Sequence, residues 1–188
     1  MKKLKFICTT DIHGTIHPLD FSSNQAVDYG LSRFSTYLKK ERQDHDVILI
    51  DNGDVNQGSP FVTYANKNEE QNVMAKALNQ LNYDYFNLGN HDFNFGSDFL
   101  MTYMDQMESQ SLISNVLYEG EAIGQSQIIE VAEHGVTFGL IGVVTDYIPN
   151  WEKPAHLVGL TVLPVKETVQ KEVAALTGKV PNLSTIVL

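Results

Sequence analysis

The chain has 188 residues, with 13 Lys and Arg against 23 Asp and Glu and a formal net charge of −10. Hydrophobic residues make up 43% and charged residues 19%, a balance that excludes a mainly disordered chain and fits one folded domain or one domain cut short. No Lys/Arg block interrupts the acidic surplus, which excludes an unspecific grip on nucleic acid or on anionic lipid, because both need basic surface.

The amino terminus, Met1-Lys2-Lys3-Leu4-Lys5, is followed only by Phe6-Ile7-Cys8 before Thr9. That run is too short for a signal peptide or a membrane span. As written the chain reads as cytoplasmic, and an exported parent whose leader had been removed would read the same. The single Cys8 cannot form an internal disulfide and, within an apolar run, is expected to be a small buried thiol.

Leu4 to Cys8 and Val47 to Ile50 are predicted buried strands, each ending on carboxylates, at Asp11 and at Asp51 and Asp54. Between them Leu31, Phe34 and Leu38 share one helical face, so 28–42 is a predicted helix and the three segments form a βαβ unit. Asn68, before Glu69 and Glu70, is the expected cap of a helix carrying Val73, Met74, Ala77, Leu78 and Leu81. A strand from Tyr83 to Leu88 opens into Gly89-Asn90-His91-Asp92. Ser97 and Asp98 begin a helix with Phe99, Leu100, Tyr103, Met104 and Met107 on one side, a core stripe, and Leu112 to Leu117 is the next strand.

In the second half, Gln127 to Val131 and Val136 to Val144 pair as a hairpin turned at Gly135. Trp151 and Pro154 lie in an irregular stretch, and Val165, Val169, Val173 and Leu176 mark a helix closed by Gly178. Leu183 to Leu188 reads as a core strand on which the chain stops. The resulting fold class is α/β, built from βαβ units and mixed sheets.

Asp11-Ile12-His13 places a carboxylate and an imidazole two residues apart at a strand end, on one face by strand alternation, as a metal claw. Gly53-Asp54 follows the second strand and Asn90-His91 the third, and groups at the carboxyl ends of neighbouring strands converge on one crevice. Mixed oxygen and nitrogen donors suit Mn, Fe, Zn or Co. Each piece alone is weak, and Gly-Asn-His-Asp could be no more than a turn capped by Asn and Asp. All three occur in order, each after a predicted strand.

With these motifs the chain resembles the calcineurin-like metallophosphoesterase superfamily, whose signature is Asp-x-His, Gly-Asp and Gly-Asn-His-Asp/Glu. Thr9-Thr10-Asp11-Ile12-His13-Gly14, Asp51-Asn52-Gly53-Asp54 with Gln57-Gly58-Ser59-Pro60, and Gly89-Asn90-His91-Asp92-Phe93-Asn94-Phe95-Gly96 are similar to its 5′-nucleotidase and 2′,3′-cyclic-nucleotide 2′-phosphodiesterase/3′-nucleotidase branch. The resemblance implies a partial metallophosphoesterase β-sandwich flanked by helices, two divalent metal ions, and a small nucleotide substrate, with neither a nucleic-acid polymer nor a membrane as partner. It implies that Asp11 and His13 bind the first metal, that Asp54 bridges both and that Asn90 binds the second. His91 then contacts the phosphoryl oxygens and the leaving group. Two cations would also explain how an acidic protein attracts an anion.

Asn94 departs from the 5′-nucleotidase relatives, which have an Asp there paired with the catalytic His. Its carbonyl can still orient His91, with less support for an imidazolium. Of the other histidines, His17 is a candidate for a place behind the claw, His45 reads as a solvated loop residue, His134 as a turn residue and His156 as no ligand. Trp151 is either a packing residue or part of a substrate rim. No Gly-His-x-His follows in this chain, and the family's carboxy-terminal domain is expected to be missing, so residues 1–188 read as the amino-terminal part of the enzyme. A 5′-nucleotidase or UDP-sugar hydrolase, and a non-catalytic half-domain that binds metal or phosphate, are the alternatives. An exposed sheet edge leaves pairing with a second copy open.

Overall fold

The computed structural model describes residues 2–68 and 71–188. In chain order it runs β1 (Lys3–Thr9), a small hairpin of β2 (Leu19–Asp20) and β3 (Gln25–Ala26), α1 (Leu31–Asp44), β4 (His45–Asp51), α2 (Pro60–Asn68), α3 (Val73–Gln80) and β5 (Tyr85–Phe86). It continues with α4 (Ser97–Gln106), β6 (Gln110–Ser111), β7 (Val116–Tyr118), β8 (Glu121–Ala122), β9 (Gln127–Val131), β10 (Val136–Ile141), α5 (Ile148–Trp151), β11 (Leu160–Val162), α6 (Val165–Lys179) and β12 (Ser184–Val187).

The strands β1, β4, β5 and β6 form a parallel sheet in that order. A second, mixed sheet has the order β12-β10-β9, with β12 parallel and β9 antiparallel to β10. The pattern of β4 shows why the two sheets stack. Val47 and Leu49 point to one side, where they meet Leu38 of α1 and Met74 and Leu78 of α3. Ile48 and Ile50 point to the other, where they meet Phe138 and Leu140 of β10 and Ile129 and Val131 of β9. A strand buried on both faces needs an unbroken apolar run, and Val47-Ile48-Leu49-Ile50 is one. On the outer side of the mixed sheet, α6 lays Leu176 against Ile141. The α/β sandwich flanked by helices is therefore the observed architecture.

Several boundaries moved. Asn68 ends α2 instead of capping a helix, because Pro60 starts a helix that the sequence reading lacked. Asn72 is the cap of α3, its Oδ1 accepting from the Met74 and Ala75 amides at 2.9 and 3.0 Å, while Glu69 and Glu70 lie outside the described residues. The run from Leu112 to Leu117 is split between two sheets, since Leu112 donates to Phe86 at 2.8 Å and Val116 pairs with β11. The divider is buried Asn115, whose side chain donates to Val144 O at 2.8 Å and accepts from Val144 N at 2.9 Å. Gly178 lies inside α6, which continues because the Val180 amide still reaches Leu176 O at 3.0 Å.

Cys8 is exposed, not buried. It alternates with Ile7, which takes the core side of β1, and β1 is the edge of its sheet. The expected core strand at the carboxyl end is an edge strand among the described residues, with Ile186 39% and Val187 45% exposed. No helix among the described residues is long and apolar enough to cross a membrane.

Leu140 is fully buried between the two sheets, so Leu140→Ala removes side-chain contacts and leaves a cavity. The expected loss is about 2–5 kcal/mol of unfolding free energy, measured by denaturant titration.

Candidate metal centre

The site starts where the two central strands end. Beyond β1 and β4 the backbone pairing continues through the loops: Asn52 donates to Thr9 O at 2.8 Å, Asp11 to Gly53 O at 3.0 Å, His13 to Asp54 O at 2.9 Å and Gly14 to Val55 O at 2.7 Å. These bonds bring Asp11-Ile12-His13 alongside Gly53-Asp54. Asp11, His13 and Asp54 all have positive φ, 54°, 48° and 60°. Strand alternation is therefore not what aligns Asp11 and His13; both lie past β1, in left-handed backbone.

One potential ligand atom from each of Asp11, His13 and Asp54 falls within 4.8 Å of the others, a group that could hold a metal ion. His13 Nε2 lies 3.7 Å from Asp11 Oδ1. His13 Nδ1 lies 3.0 Å from Gln57 O, and since a carbonyl only accepts, Nδ1 carries the proton and Nε2 keeps its lone pair for a cation. The donor set and its orientation thus fit a divalent ion. Beside Asp11 and His13 a cavity of about 590 Å³ opens, lined also by Ile12, Tyr29 and Phe34.

Asn90-His91 joins the site through Asp54. Asn90 begins a 3-10 turn over Asn90–Phe93, and the His91 amide donates to Asp54 Oδ1 at 2.7 Å. The turn is clamped by Asp92, which is almost completely buried. Its Oδ2 accepts from Asp54 N and Gly89 N, both at 2.9 Å, and its Oδ1 from Val55 N at 3.1 Å and Asn56 N at 3.4 Å. Burial pushes its carboxyl above the usual range, and the amide donors oppose that. The two loops approach so closely that a Cβ on Gly53 would sit 1.9 Å from Gly89 N, and one on Gly89 2.2 Å from Asp54 Oδ1. Both positions exclude any side chain.

His91 stands next to the claw, its ring centroid 5.4 Å from that of His13. Its Nδ1 lies 2.9 Å from Asn94 Oδ1, the pairing expected from the sequence. Behind Asn94 is a residue the sequence reading did not single out: Asn94 Nδ2 donates to Glu152 Oε1, and His156 Nδ1 is 2.9 Å from Glu152 Oε2. His156 is thus outside the metal group but tied to the same network. Glu152 carried no signal, because it lies 58 residues from Asn94 in an irregular stretch.

The remaining histidines lie elsewhere. His17 packs edge-on against Phe61 at 5.9 Å. His45 is not a loop residue but begins β4, 3.2 Å from Glu41, and His134 occupies the turn before Gly135 with Nε2 2.8 Å from Asp46. Trp151 is 58% exposed, its ring against Tyr147 at 5.2 Å, which excludes a core packing role.

The family model for calcineurin-like phosphoesterase matches residues 4–163, which include every residue of this site. The chain belongs to the calcineurin-like phosphoesterase family. It is 32% identical over 169 residues to the trifunctional nucleotide phosphoesterase protein YfkN of Bacillus subtilis, covering 80% of this chain and 12% of that protein. It is 30% identical over 201 residues to the 2′,3′-cyclic-nucleotide 2′-phosphodiesterase/3′-nucleotidase of Salmonella typhimurium, covering 98% of this chain and 31% of that protein. The crystal structure of the calcineurin-like phosphoesterase YfkN from Bacillus subtilis superimposes with a TM-score of 0.83 at 28% identity, over 97% of this chain and 60% of that one. The chain therefore spans less than a third of the length of these two curated relatives.

This calcineurin-like site concentrates negative charge. Asp51, fully buried at the end of β4, accepts from Thr9 Oγ1 at 2.5 Å and from Gly53 N at 3.0 Å. Burial, reinforced by the charges of Asp92 and Asp11, pushes its carboxyl from the ordinary 3.8 up to about 7. The folded chain then holds a proton that the unfolded chain has released, so this contribution is complete below pH 3.8 and disappears as the pH rises through about 7. In metal-stripped protein, Asp51→Asn is expected to remove a fall in stability of about 4 kcal/mol across that interval, read from denaturation midpoints as a function of pH.

Proposed function

We propose that this chain is the metal-carrying amino-terminal part of a hydrolase of nucleotide phosphoesters, of the 2′,3′-cyclic-nucleotide 2′-phosphodiesterase/3′-nucleotidase type. The observation that carries the reading is the meeting of Asp11, His13 and Asp54, with the Asn90-His91 turn bonded to the Asp54 carboxylate. The curated relatives supply the substrate class, and the adjoining cavity of about 590 Å³ is of ligand size.

In this reading Asp11, His13, Asp54 and Asn90 would hold two divalent ions, with Mn, Zn, Fe and Co all suited to such donors. Bound there, the ions would supply Lewis acidity to a phosphoryl group and activate water for in-line attack. The chain's own residues do the positioning. Gln57 O fixes the His13 ring, the His91 amide fixes the Asp54 carboxylate, and the His91 ring, held by Asn94, reaches the phosphoryl oxygens and the leaving group. The acidic surface favours a small ester drawn in by the ions over a polymer of phosphates.

Metal analysis combined with hydrolysis of bis-p-nitrophenyl phosphate in added Mn tests the reading. Bound metal and turnover are expected, and both are expected to vanish in Asp54→Asn. Asp92→Asn leaves the ligands in place but loosens their support, with an expected loss of about 10–100-fold in metal affinity. Metal without turnover would favour a non-catalytic half-domain.

A further inference from the structure

The hydrogen bonds behind His91 have a direction, and that direction is set at a carboxylate. Nδ1 of His91 lies 2.9 Å from Asn94 Oδ1, Asn94 Nδ2 donates to Glu152 Oε1 at 2.5 Å, and Nδ1 of His156 lies 2.9 Å from Glu152 Oε2. Asn94 caps the 3-10 turn over Asn90–Phe93, Glu152 caps α5, and His156 ends the 3-10 turn over Pro154–His156. The Glu152 side chain is 11% exposed, so protein groups and not bulk water surround its oxygens.

A carboxylate offers only acceptors, whereas a side-chain amide has a donating end and an accepting end. Glu152 therefore requires Nδ2 of Asn94 to face it. Because the amide is rigid and planar, its Oδ1 then faces His91. That oxygen can only accept, so the proton of the neutral imidazole must sit on Nδ1 and the lone pair on Nε2. His156 acts at the far end by the same rule: its Nδ1–H donates to Oε2 and holds the carboxylate in place.

We propose that Glu152 is a positioning residue that fixes the tautomer of His91 through the side-chain amide of Asn94. The sequence reading expected an imidazole whose partner carries no charge. In the folded chain the charge is present one side chain further out, and Asn94 transmits its polarity. The catalytic consequence rests on the phosphoesterase reading of His91, whereas the tautomer does not depend on it.

The choice of residue at 152 follows. A glutamine there presents a donor as readily as an acceptor, so the Asn94 amide can turn over and His91 Nδ1 can become the acceptor. A carboxylate moved to position 94 would accept from Nδ1–H directly and make residue 152 dispensable.

The test is tautomer-resolved proton–nitrogen NMR of the metal-free, histidine-labelled chain at about pH 8, above the ordinary imidazole range. The His91 signals are identified by their loss in His91→Gln. The wild-type chain is expected to show the Nδ1–H tautomer alone, and Glu152→Gln a mixture with Nε2–H. The double variant Asn94→Asp, Glu152→Gln is expected to return to Nδ1–H alone. Glu152→Ala, which removes the carboxylate without adding a donor, is expected to give the same mixture and replaces Glu152→Gln if that variant does not fold. A pure Nδ1–H tautomer in either folded single variant overturns the proposal. A lost tautomer with unchanged turnover of bis-p-nitrophenyl phosphate supports the role of Glu152 and removes His91 from the phosphoesterase reading.

Discussion

The buried carboxylate of Asp92 is the interaction on which the rest of the site depends. Two loops from different strands approach with their backbones almost touching, and each brings amide N–H groups that have no strand or helix partner. Asp92 takes four of them, three from Asp54, Val55 and Asn56 and one from Gly89, two on each carboxylate oxygen, and so joins the Asp54 loop to the Asn90-His91 turn. Hydrogen bonds to a charged group contribute about 1.5–3 kcal/mol each, against a burial cost of several kcal/mol for the ion. Four such bonds oppose that cost without cancelling it, since the carboxyl still sits above the ordinary range. The glycines at 53 and 89 are the steric condition for the same contact, since any Cβ there would overlap the opposite loop.

The architecture around this clamp is conservative by comparison. A parallel sheet and a mixed sheet share an apolar interface, helices cover the outer faces, and the strands β1, β4 and β5 all run toward the site. Short strands followed by tightly turned loops bring the carboxylates of Asp11 and Asp54 and the His13 imidazole together, with the His91 ring beside them. Burial is the main reason that the Asp51 carboxyl is raised, and the charges of Asp92 and Asp11 add to it. The Asp11, His13 and Asp54 group could hold a divalent cation, which would lessen the repulsion among these carboxylates.

Much of this was legible in the residues. The apolar run Val47-Ile48-Leu49-Ile50, the stripe of α3 and the hairpin turned at Gly135 are local patterns, and their periodicity reports burial directly. The motifs that carry Asp11, His13, Asp54, Asn90 and His91 were also legible, each placed after a strand, and the structure brings Asp11, His13 and Asp54 together. Strand alternation does not account for the claw. Its two side chains come together through left-handed loop backbone, which alternation along a strand does not describe. Cys8 was misplaced because an apolar run does not say which of its faces another sheet or helix will cover.

The sequence by itself determined most of the sandwich-forming strands and covering helices and named the candidate ligands, because these are written in apolar runs, in a spacing of about 3.6 residues or in contiguous motifs, whereas α2 carried no such signal. Only the tertiary structure decided what supports those ligands. Asp92 reaches back 38 residues to the Asp54 amide, and Asn94 meets Glu152 58 residues later. Such pairings have no period and no fixed separation along the chain, since they depend on where separate loops come to rest once the sheets have packed.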